Sequence, residues 1–302
     1  MSEAERTPGA ASTRVGVCID DFGLHAGIDD SALSLVAQGR VSAVGCMVQG
    51  PSWATDAHAL RDQAADRADI GLHLNLTEPI GASAGERVGA SLRGLIMRAY
   101  LGQLAHSSIH DAVRRQLDAF EDTLGRPPDF VDGHQHVHQL PVVRDVLIEE
   151  LCLRYAGAQP WLRVSSASAQ TLAIDGRFGK ARVIDALGAS ALRRQAQACS
   201  VRTNTSLIGV YDFAGDAPAY LARLGAWLAG AADGDLLMCH PSSRIEAGDA
   251  IASARHVEFG VLGGTEFGAL LQSLGVQVAR LSRVLVTPAS PPRTSSTART
   301  AP

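Results

Sequence analysis

The 302-residue chain carries 27 Lys and Arg against 31 Asp and Glu, a net charge of −4, with 46% apolar and 19% charged residues. That length and apolar fraction suit one large α/β domain with a sizeable core. The charge offers no basic field for nucleic acid and no polybasic membrane patch, and no apolar run approaches the roughly 20 residues that cross a bilayer.

In chain order, residues 1–13 are small and polar and predict a disordered tail. The opening MSEAERTPGAASTR lacks the basic-then-apolar pattern of a signal peptide, so the expected location is cytoplasmic. A folded domain is predicted over 14–286. VGVCID predicts a strand, GIDDSALSLVAQGR a helix, VSAVGCMV a strand and SWATDAHALRDQAAD a helix. ADIGLHLNL is the next strand. The Gly/Ser-rich GASAGERVGAS after it reads equally as a mobile lid or a solvated surface loop. HDAVRRQLDAFEDTLG predicts a helix, DFVDGHQH a strand, and PVVRDVLIEELCLRY a helix with Pro141 in its first turn, where a missing N–H costs nothing. WLRVSS, TSLIGVYDF, DLLMCH and VQVARL predict further strands, and the Pro/Ser/Thr-rich 287–302 a second disordered tail. Strands alternating with helices through right-handed crossovers imply a mostly parallel sheet buried on both faces. Seven or eight such units imply an α/β fold of the barrel type, incomplete or distorted.

The chemistry gathers at strand ends. DDFG follows the first strand, GLHLNLT ends the third, DGHQHVH ends another and CHP closes a late one. In a parallel barrel those ends form one rim, where active sites are built. Five of the ten histidines (His73, His134, His136, His138 and His240) fall there.

Asp20 and Asp21 would point to opposite faces of a strand unless the chain turns, and Phe22-Gly23 supplies such a turn. One could then ligate a cation while the other holds its water; a helix N-cap beside a surface charge is the plainer alternative. His73 reads either as a ligand or as a core histidine. On a continuing strand, His134 and His136 share a face about 6.6 Å apart, whereas His138 lies about 13 Å from His134, too far to reach the same ion. The three are therefore not equivalent: one or two approach a metal, and the rest orient, bind substrate or cap the next helix. His240, held by Pro241, reads as a structural group or as a general acid. Five scattered cysteines without a C-x-x-C pair argue against a disulfide framework and against thiolate zinc.

CIDDFGL, GLHLNLT and DGHQHVHQLP, in this order and spacing, resemble the YdjC-like carbohydrate deacetylases, which include chitooligosaccharide and hopanoid-associated deacetylases. The likeness runs from Val15 to the 280s. It implies an irregular (β/α) barrel of the glycoside hydrolase/deacetylase type holding one divalent metal ion, Mg2+ or Zn2+. By resemblance, Asp21, His73 and His134 are the metal ligands, Asp20 the catalytic base and His240 the acid. His136, His138 and Arg163 remain as substrate contacts or as supports for the ligands. Two departures, His-Pro-Ser for His-Pro-Gly and Ile19 for Ala, remove none of these groups.

The implied activity is hydrolysis of the acetamide of an N-acetylated sugar, free or in an oligosaccharide or glycolipid. Two imidazoles and one carboxylate leave coordination positions open, as a catalytic metal requires, and suit a transition metal better than magnesium. Another metal hydrolase of the amidohydrolase type, or a non-catalytic carbohydrate-binding protein on the same scaffold, are the competing readings. The sequence leaves a homodimer open.

Overall fold

The structure is a computed structural model and describes residues 12–80, 91–168, 171–172 and 179–285. Residues 81–90 of the Gly/Ser-rich segment read as a lid or as a surface loop, residues 1–11 and the tail 287–302 lie outside the described residues.

The elements run β1 (Thr13–Phe22), α1 (Ala26–Ala37), β2 (Ala43–Cys46), α2 (Trp53–Ala64), β3 (Asp69–Leu74), α3 (Leu92–Tyr100), α4 (His106–Leu124) and β4 (Phe130–Gly133). A 3-10 turn (His134–Gln139) leads to α5 (Val143–Arg154), β5 (Trp161–Leu162), α6 (Lys180–Ala186), α7 (Ala189–Ala198) and β6 (Leu207–Ile208). The chain continues through α8 (Ala217–Leu228), β7 (Leu236–Cys239), α9 (Ala252–Gly263), α10 (Thr265–Leu274), β8 (Val276–Val278) and α11 (Leu281–Val284).

All strand pairs are parallel, in the order β5-β4-β3-β2-β1-β7-β6, with β8 beside the start of β1. Among the described residues, the backbone of the two ends of this sheet meets through the isolated bridges Leu162 to Thr203 and Ala167 to Leu207. Between them the Asn204 side chain substitutes for the missing ladder: its Oδ1 accepts the Val164 N–H at 2.7 Å and its Nδ2 donates to the Val164 carbonyl at 3.1 Å. The barrel is therefore irregular, as expected. Every residue of β2, β3, β4 and β7 is buried, so these strands read as continuous runs rather than as alternation. At Gly71 an added Cβ would come within 2.4 Å of the Phe130 ring, which stacks on Trp161 at 4.5 Å between centroids.

Several expected boundaries move. The strand at 130 stops at Gly133, and WLRVSS and TSLIGVYDF contribute two strand residues each. Helix α5 starts at Val143, with the Asp145 carboxylate accepting the Val142 N–H at 3.3 Å, so Pro141 precedes the helix rather than sitting in its first turn.

At the N-terminal end of the strands, buried Asp69 accepts from Arg280 Nε (2.8 Å), the Ser282 N–H (2.8 Å), Ser282 Oγ (2.5 Å) and Trp161 Nε1 (3.0 Å). This network ties the segment around α11 to β3 and β5.

Candidate active site

The end of β1 carries the first two groups. The β1–β2 register slips between Ile19 and Phe22, and Asp21 itself sits at φ 70°. A non-glycine residue in this region stores strain of about 1–3 kcal/mol, and such residues cluster at functional sites. The reversal expected from Phe22-Gly23 thus begins one residue earlier, at Asp21. It brings both carboxylates to the C-terminal mouth of the barrel.

Asp20 is clamped. Arg163, fully buried, donates Nη1 to Asp20 Oδ2 at 2.7 Å and Nη2 to Oδ1 at 2.6 Å, and Nη2 lies 2.7 Å from Asp132 Oδ2. Burial raises the Asp20 pKa, but Arg163, His73 and His240 together outweigh it and hold the carboxyl well below its ordinary range.

Asp21 divides its oxygens. Oδ1 lies 2.9 Å from His134 Nδ1 and 3.4 Å from His73 Nε2, whereas Oδ2 accepts from Arg255 Nη2 at 2.7 Å. Here too burial is outweighed, by Arg255 and His134, and Asp21 stays ionised. His73 turns its other nitrogen, Nδ1, to Asp132 Oδ1 at 2.7 Å. Burial lowers the His73 pKa, yet Asp132 and Asp20 prevail and push it up to about 10.

His134 opens the 3-10 turn, in which Gln135 and His136 have φ of 54° and 60°. This turn, not a continuing strand, decides where the three imidazoles go. His134 swings to Asp21; His136 meets Ser165 Oγ at 2.9 Å; His138 donates Nε2–H to the Arg163 carbonyl at 2.9 Å. Burial holds His136 well below its ordinary value and His138 at about 4, so both are neutral. His134 and His136 therefore do not share a face.

His240, just past β7, points Nε2 toward Asp20 Oδ2 at 3.9 Å and sets its ring edge-on to Phe213 at 5.2 Å. Burial pulls it down to about 4 against Asp20 and Asp21, leaving it neutral at pH 7. Its Nδ1 is without a hydrogen-bond partner among the described residues.

Asp21, His73 and His134 place one donor atom each within 4.8 Å of one another. Ligand atoms about 2.1 Å from a tetrahedral ion stand roughly 3.4 Å apart, so the donor set fits a small dication. Asp132 gripping the far nitrogen of His73 is the support that metal-ligating histidines commonly have. His136 and His138 stand outside this group, and Arg163 faces carboxylates rather than the open mouth.

Sequence reading missed Asp132, Arg255 and Glu258. Asp132 is the register partner of His73 across β3 and β4, a pairing that no local pattern reveals. For the other two the signal was a charged pair three residues apart inside the apolar ASARHVEFGVLG, the sequence of α9.

The family profile described as YdjC-like protein matches residues 14–273. The chain belongs to the YdjC-like protein family. The chitooligosaccharide deacetylase of Serratia marcescens is 38% identical over 128 residues, covering 41% of this chain and 50% of that protein. A carbohydrate deacetylase of Mus musculus is 34% identical over 148 residues, 46% of this chain and 47% of the mouse protein. The aligned part of this YdjC-like chain thus spans about half the length of the curated relatives it matches. An Enterococcus faecalis crystal structure, provisionally described as a cellobiose-phosphate cleavage protein, has a TM-score of 0.66 at 18% identity over 90% of this chain and 98% of its own. An uncharacterized Agrobacterium tumefaciens protein gives 0.51 at 14% identity, covering 92% and 91%. These two likenesses are of fold.

Proposed function

We propose that this YdjC-like protein is a metal-dependent N-deacetylase that hydrolyses the acetamide of an N-acetylated sugar to amine and acetate. The observation that carries the reading is the convergence of Asp21, His73 and His134 beside the Asp20–His240 pair. The names of the Serratia and mouse relatives supply the substrate class.

Amide hydrolysis needs a base for the attacking water and an acid for the leaving amine, which departs poorly unless protonated. Asp20 is the base. Arg163 fixes both of its oxygens and keeps it ionised, at the cost of making it a weak proton acceptor. Asp21, His73 and His134 would hold a dication, zinc or magnesium, which would supply the missing activation by acidifying a water and polarising the acetamide carbonyl. His240 is the acid. It rests neutral, so the proton it hands to the departing nitrogen is the one Asp20 takes from the attacking water, passed on to Nε2, which lies 3.9 Å from Asp20 Oδ2. Phe213, edge-on to His240, lines the same side of the mouth.

The test is acetate release by the purified chain from N-acetylglucosamine, its oligomers and N-acetylated glycolipids. Release from at least one sugar is expected. Binding without release would favour the non-catalytic reading, and turnover of simple amides in place of sugars would favour an amidohydrolase.

A further inference from the structure

Neither of the buried charged residues on α9 has a part in the chemistry above, although both reach into the site. Arg255 and Glu258 are spaced i, i+3 and so share one helix face. Arg255 is 3% exposed and Glu258 fully buried. Burying such charges is costly unless each is paired and hydrogen-bonded: Arg255 is both, and Glu258 is hydrogen-bonded. Arg255 donates Nε to Asp249 Oδ2 at 2.6 Å and Nη2 to Asp21 Oδ2 at 2.7 Å, with Nη1 reaching the His240 carbonyl at 3.4 Å. Glu258 accepts the His240 N–H at 2.5 Å on Oε2 and the Tyr211 hydroxyl at 2.7 Å on Oε1. The helix therefore holds the ends of two neighbouring strands, β1 through Asp21 and β7 through His240.

We infer that Arg255 is a positioning residue for the metal site: it occupies one oxygen of Asp21 and thereby presents the other to His73 and His134. Asp21 has a strained backbone, and its carboxylate has only one torsion beyond Cβ, so its orientation needs an external anchor. A lysine in place of Arg255 could reach Asp21 or Asp249 but lacks the planar fork that joins both to the His240 carbonyl. Asp249, at the far side of the guanidinium, fixes the fork in turn. The inference rests on the reading of Asp21, His73 and His134 as ligands.

The experiment is calorimetric titration of the full chain with Zn2+ alone, alongside Co2+ absorption spectra and circular dichroism to verify folding. Partners lying behind metal ligands typically matter by 10–100-fold in affinity, so Arg255→Met should weaken Zn2+ binding by about that factor and alter the Co2+ band shape. Arg255→Lys should recover part of the loss, which a merely structural role would not require. Zn2+ affinity in folded Arg255→Met within twofold of the unaltered chain would overturn the inference and leave the ligand reading standing. Absence of Zn2+ uptake by the unaltered chain would overturn both. Should Arg255→Met fail to fold, Asp249→Asn carries the test: a severalfold weaker Zn2+ affinity supports the anchor, and an unchanged affinity overturns it.

Discussion

At the N-terminal end of the strands Asp69 is buried against Arg280, and at the C-terminal end Asp20 is buried against Arg163. The two networks look alike in composition but differ in completeness. Around Asp69 both carboxylate oxygens accept from two donors, drawn from Arg280, Ser282 and Trp161. Around Asp20, His240 Nδ1, His138 Nδ1 and Arg163 Nε have no partner among the described residues, and Asp21 adopts a strained backbone. Buried polar atoms are normally satisfied, so the exceptions mark where something other than stability set the arrangement. The lower network holds the barrel together; the upper one gives up some stability to keep groups available.

The sharpest way to break this comparison is to neutralise one aspartate at each end. Asp20→Asn should cut acetate release by roughly 10²–10⁴-fold, the range of a lost general base, while Zn2+ uptake persists; retained turnover would remove Asp20 from that role. Asp69→Ala should do the opposite. It leaves the half-buried Arg280 without its main counter-charge and Ser282 and Trp161 without their acceptor, so urea unfolding should show a loss of up to about 3 kcal/mol, with Zn2+ affinity of the folded protein unchanged. At the mouth, His134→Ala should sharply lower metal occupancy; unchanged occupancy would point to His136 or His138 as the ligand.

A pH series sharpens the contrast further. Burial pushes Glu258 up to about 7 from an ordinary 4.5, more than the His240 N–H and the Tyr211 hydroxyl pull it down. Between those values the folded protein binds the proton more tightly than the unfolded chain. The stability this contributes is present at the acid side and is lost as pH rises through about 7. Glu258→Gln cannot titrate, so its stability relative to the unaltered protein should improve from pH 5 to pH 8, by up to roughly 3 kcal/mol. A flat difference across that range would contradict the assignment. The smallest effect expected is at Gly71→Ala, where the new methyl meets Phe130; a loss of about 1–3 kcal/mol in thermal unfolding, with acetate release intact, separates packing from chemistry.

Much of this was legible in the chain itself. The buried strands announce themselves as apolar runs, and Asp20, Asp21, His73, His134 and His240 stand where those runs end. What escaped depended on contacts between distant segments. Asp132 becomes a partner of His73 only through the register of β3 on β4. The positions of His134, His136 and His138 depend on left-handed backbone at Gln135 and His136, which no alternation pattern encodes. Strands β5 and β6 are two residues long because the Asn204 side chain, rather than a ladder, joins that part of the barrel. Arg255 and Glu258 look like ordinary helix-surface charges until α9 is packed across the mouth.

The shared dication at Asp21, His73 and His134 is tested most directly by acetate release from N-acetylglucosamine oligomers before chelation, after it, and after Zn2+ or Mg2+ is restored. Release should stop on chelation and return with the metal. Undiminished release from the chelated, metal-free protein would contradict the account.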